Sequence, residues 1–61
     1  MDRTYDVFER LSDGTMVWRA TVVGHEVALR KLRELARLGD NEFRLMHLDT
    51  QTIIATINTK T

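Results

Sequence analysis

Residues 4–23 read TYDVFERLSDGTMVWRATVV, and the Asp13-Gly14 step near their middle decides the fold. On either side of Ser12-Asp13-Gly14 the composition is aromatic and β-branched. Asp-Gly between two such runs marks a hairpin, because Gly14 supplies the positive φ that a tight turn requires. Two registers fit. A two-residue Asp13-Gly14 turn sets Leu11 against Met16 and Glu9 against Trp18. A three-residue loop, Ser12-Asp13-Gly14 with a bulge at the glycine, sets Phe8 against Trp18. The second is preferred, since it pairs two aromatic rings and keeps a carboxylate from facing the tryptophan inside the core. Read this way, Phe8, Met16, Trp18, Ala20 and Val22 are expected to share the buried face.

Past Gly24 the apolar period changes from two residues to that of a helix. Ala28, Leu29, Leu32, Leu35 and Ala36 fall in one stripe at about 100° per residue. The spacing predicts a helix over about 25 to 38, with Glu26 in the first turn and Arg37 in the last, each suited to the helix dipole. Gly39 is the expected left-handed cap. Two further β-rich runs, 42–48 and 52–57, flank Asp49-Thr50-Gln51, where a type I turn opened by Asp49 replaces the missing glycine. The expected fold is therefore α+β, in the order ββαββ: a four-stranded antiparallel sheet with one helix packed on one face. Ala28, Leu32, Leu35, Ala36, Phe43 or Met46, and one of Ile53 and Ile54 complete the expected core.

A chain of 61 residues with no cysteine is expected to form one domain spanning 1–61, ordered over about 4–58, with the tail after Ile57 fraying. Domains of this size bury only about 60% of their unfolded surface and commonly need a disulfide, a metal or a partner. Disulfides and thiolate zinc sites are excluded, and His25 and His47 alone do not make a four-ligand site. No cofactor is expected, which leaves association as the reinforcement. Nine basic residues balance nine acidic ones, so no overall field draws the chain to nucleic acid or to an anionic membrane. There is no apolar leader at the N-terminus and no run of about 20 apolar residues, so a cytoplasmic location is expected.

Catalysis has little support in these residues. A general base needs an orienting partner and a water-excluding site, and no nucleophile elbow, phosphate-binding glycine loop or His-Glu-x-x-His helix is present. A non-enzyme is expected. Nucleic-acid binding has one local feature: Arg30, Arg33 and Arg37 recur on the outer face of the helix, with Lys31 at its margin. Glu26 and Glu34 are spaced to pair with Arg30, and Glu34 also with Arg37, which describes an ordinary solvated face.

The strands carry more apolar residues than one helix covers. Val17 and Val23 alternate against the Met16 and Trp18 face, beside Arg19 and Thr21. Ile53 and Ile54 must point to opposite sides, as must Leu45 and Met46. A half-solvated sheet alternates more cleanly than this. Small domains do leave some apolar side chains in water. The excess nevertheless makes Val17, Arg19, Thr21, Leu45, Ile54 and Thr56 a candidate interface, for a homodimer by face or edge or for another protein.

Taken together, Phe8, Asp13-Gly14, Trp18, Ala20 and Gly24, the helix from Leu32 to Ala36, Glu42-Phe43 and Met46-His47-Leu48 resemble a group of short bacterial proteins of about 60 residues without assigned function. The resemblance spans most of the chain and implies a stand-alone protein. It implies no activity and no site.

Overall fold

The computed structural model describes residues 3–58, in the order β1 (Thr4–Arg10), β2 (Met16–Val23), α1 (His25–Ala36), β3 (Glu42–His47) and β4 (Thr52–Ile57). The fold is α+β. Four antiparallel strands make one open sheet in the order β2-β1-β3-β4, and α1 packs on one face of it. The first strands of the two hairpins, β1 and β3, are the central pair, and β2 and β4 are the edges.

The first hairpin closes by the three-residue loop. Leu11 N–H donates to Thr15 O at 2.8 Å and Gly14 N–H to Leu11 O at 2.9 Å, with Gly14 at φ 90. Asp13 Oδ1 accepts from Thr15 N–H at 2.9 Å, and Phe8 stands opposite Trp18. Only the face differs from expectation. Pairing runs Arg10 with Met16, Glu9 with Val17 and Phe8 with Trp18, then steps to Val7 with Ala20, so Arg19 has no partner on β1. One extra residue reverses the alternation of everything beyond it. Ala20 and Val22 thus pack toward the helix, whereas Met16 and Trp18 point away from it and are 40% and 56% exposed.

Strand β4 repeats the device. Leu45 pairs with Ala55 and Met46 with Ile53, which leaves Ile54 unpaired. Ala55 and Ile57 pack against the core, and both Ile53 and Ile54 are exposed.

The buried cluster is Tyr5, Val7, Phe43 and Leu45 from the central strands with Ala28, Leu32 and Ala36 from α1. Of Phe43 and Met46, Phe43 is the one in the core, and the placing of Phe8, Met16, Trp18 and one of Ile53 and Ile54 there is corrected. The central strands alternate from Tyr5 and from Phe43, and the bulges carry the edge-strand aromatic and isoleucines to the other side.

Gly24 opens α1 at φ 101, and its carbonyl accepts from Ala28 N–H at 2.9 Å. The helix ends at Ala36, short of the expected residue 38. Arg37 N–H bonds to Arg33 O at 3.2 Å and Leu38 N–H to Leu35 O at 3.1 Å, and Gly39 is not left-handed. Asn58 closes the helix end instead: its Nδ2 lies 3.0 Å from Ala36 O, 3.3 Å from Asn41 O and 3.4 Å from Gly39 O. So the tail is held at Asn58, and the remainder of the expected frayed segment, 59–61, lies outside the described residues. In the second hairpin the turn opens at Leu48 rather than Asp49. Gln51 N–H donates to Leu48 O at 3.3 Å, and Gln51 itself takes the left-handed position, φ 56.

Candidate interaction face

The side chains that alternate away from α1 form three rows across the sheet from β2 toward β4. They are Thr21, Asp6, Met46 and Ile53; Trp18, Phe8, Arg44 and Thr56; and Met16, Arg10 and Glu42, with Val23 and Thr4, the former 56% exposed, continuing the face at its far end. Trp18 dominates this outer face. Its Nε1 lies 3.2 Å from Thr21 Oγ1 and 3.4 Å from Asp6 Oδ1, and Thr21 Oγ1 donates to Asp6 Oδ1 at 2.6 Å. The polar edge of the indole is therefore satisfied within the chain, and its broad apolar surface stays open to water. Arg44 is likewise held, its Nε donating to Glu42 Oε2 at 2.6 Å, with Glu42 only 7% exposed.

The residues singled out from sequence separate in the structure. Thr21 and Thr56 lie on the outer face, and Ile54 is exposed at the β4 bulge. Arg19 occupies the β2 bulge and turns to Glu9, its Nε 2.7 Å from Oε1. Val17 stands opposite Glu9, on the helix side by register. Leu45 is fully buried, so its assignment to an interface is corrected: Met46, its neighbour, faces outward. Phe8, Met16, Trp18, Met46 and Ile53 are the members that sequence reasoning placed elsewhere. The available signal was Tyr5-Asp6-Val7 and Phe43-Arg44-Leu45, in which a charge stands between two inward apolar residues.

At the helix-facing end of β1, Glu9 Oε2 accepts from Asn41 Nδ2 at 2.7 Å. The hydrogen bonds from Asn41 and then Arg19 hold the Glu9 carboxyl below the usual carboxylate range. Asp13 is lowered too, by the Thr15 backbone N–H it accepts.

On α1, Glu34 pairs with Lys31 at 3.4 Å rather than with Arg30 or Arg37. Among the described residues no carboxylate is in salt-bridge contact with Arg30, Arg33 or Arg37. His25 and His47 both pack on Tyr5, with ring centroids 5.8 and 5.4 Å away. His47 Nδ1 lies 2.9 Å from Thr50 Oγ1, and its Nε2 is buried without a hydrogen-bond partner among the described residues. No group of three or more His, Cys, Asp or Glu that could hold a metal ion occurs among the described residues. Surface hollows lined by Arg10, Leu11, Ser12, Asn41 and Glu42, and by Arg33, Ala36, Arg37, Ile57 and Asn58, lie at the opposite end of the sheet from the histidines. No helix among the described residues is long and apolar enough to cross a membrane.

No family model matches the chain, and no curated protein or solved structure is similar enough to lend it a family or a function.

Proposed function

We propose that the protein is a small non-enzymatic interaction module that works through the outer face of its sheet. The observation that carries this reading is Trp18: a 56% exposed indole whose N–H is already bonded inside the chain. Such a ring is buried by a partner without stranding a polar group, and tryptophan is enriched among the residues that dominate binding energy. Met16 extends the apolar surface beside it on β2, and Ile53 is exposed on the far edge strand of the same face. Both edges carry bulges, at Arg19 and Ile54, which blunt them against strand addition and favour the face over the edge.

A photo-cross-linking residue at position 18, and in a separate variant at position 33 on the helix, tests the reading in cells. One discrete adduct from position 18 and none from position 33 is expected. No adduct from position 18 contradicts it.

A second reading, binding of a nucleic-acid backbone, draws on Arg30, Arg33 and Arg37 and their lack of acidic partners among the described residues, with Lys31 already paired. Titration with labelled RNA and DNA decides it, because phosphate contacts weaken steeply with salt. Absence of binding at low salt removes it.

A further inference from the structure

Resting on the interaction-face reading, we infer that the occupant of the outer face is a second copy of this chain, stacked sheet to sheet about a two-fold axis parallel to the strands.

The charge pattern points to this partner. Two acids, Asp6 and Glu42, and two bases, Arg10 and Arg44, stand on the face, so it offers no net field to an acidic or a basic surface. Their order matters more. A two-fold running between β1 and β3 lays each β1 residue over the β3 residue that it pairs with in its own sheet. Phe8 then meets the second copy's Arg44, Arg10 comes over its Glu42, and Asp6 over its Met46. At the flanks Trp18 meets Thr56 and Thr21 meets Ile53. No like charges coincide. Arg44 over Phe8 is the arrangement that a ring face and a guanidinium favour. The other simple two-fold, across the strands at the Phe8 row, sets Asp6 over Arg10 and stacks Trp18 and Phe8 each on its own copy, but it also stacks Arg44 on Arg44, the like-charge contact that sets the two arrangements apart.

Size sets the strength. Four strands about 4.8 Å apart and about 20 Å long give a footprint of roughly 400 Å² per copy, or about 800 Å² in all, short of the area of a stable specific interface. Association is therefore weak and concentration-dependent, and the helices lie outside a two-sheet sandwich.

Sedimentation equilibrium over protein concentrations up to about 1 mM tests the stoichiometry, with the wild type beside Trp18→Lys and Thr56→Lys. Circular dichroism confirms that each variant is folded. Dimerisation of the wild type, weakened about tenfold or more in both variants, is expected. Because the chain has no cysteine, single substitutions report the axis through a bis-maleimide of about 10 Å span, the spacing of stacked sheets. A mixture of Thr21→Cys and Ile53→Cys chains should cross-link to each other. A strictly monomeric wild type, or Thr56→Cys chains that link to themselves in preference to the crossed pair, overturns the proposal. If the monomeric wild type still yields an adduct of another protein from position 18, only the second-copy assignment falls; with no adduct, the interaction face falls too.

Discussion

At the residue scale, Trp18 and Leu45 exchange the roles that composition assigns them. Leu45 is fully buried between the sheet and α1, and Leu45→Ala should cost about 3–5 kcal/mol by leaving a cavity. Trp18→Ala should cost no more than about 2 kcal/mol, since over half of the ring is already in water and no buried hole is made. Urea unfolding of both variants checks the order, and a larger loss from Trp18→Ala would reverse the assignment of faces. Gln51 carries a different strain. It holds the left-handed conformation at φ 56, which favours glycine. Gln51→Gly should raise stability by up to about 1 kcal/mol, the relief of strain exceeding glycine's added chain entropy. An unchanged or lower unfolding midpoint contradicts that account of the turn.

At the scale of elements, two side chains tie together parts that secondary structure leaves separate. Asn58, just past β4, bonds the carbonyls of Ala36, Gly39 and Asn41 and so joins the last strand to the end of α1 and the loop after it. Asn58→Ala should cost about 1–2 kcal/mol, with faster amide exchange at the end of α1; unchanged exchange there would deny it the capping role. Glu9 joins the β2 bulge to the same loop through Arg19 and Asn41. Its carboxyl is lowered in the folded chain, so its contribution is fully present above the unfolded carboxylate range, near pH 4.3, and is lost as pH falls through the lower folded value. Glu9→Gln should flatten the acid limb of stability against pH while leaving the shape at neutral pH alone. An acid limb identical to the wild type would remove Glu9 as its source.

At the scale of the whole molecule, the path of the chain was legible and the sidedness of the sheet was not. Asp13-Gly14, the helical stripe from Ala28 to Ala36 and the β-branched runs on either side specify ββαββ, and the Phe8–Trp18 register follows from the three-residue loop. Which face is buried depends on Arg19 and Ile54, and a bulge leaves no compositional mark. The adjacent apolar pair Ile53-Ile54 is its nearest trace, and it reads equally well as a sheet apolar on both sides. The candidate site shares that ambiguity: Thr21 and Thr56 lie on the outer face as their alternation suggests, whereas Leu45 is buried under the helix and Trp18 stands outside the core. The two bulges leave a small core of Tyr5, Val7, Phe43 and Leu45 under the helix and put the chain's one tryptophan outside it. That tryptophan is also the probe. Acrylamide quenching of Trp18 in folded, dilute protein should be efficient, with emission near that of a water-exposed indole. A blue-shifted emission shielded from quencher at the same dilution would place Trp18 in the core and contradict the outer face on which the functional reading stands.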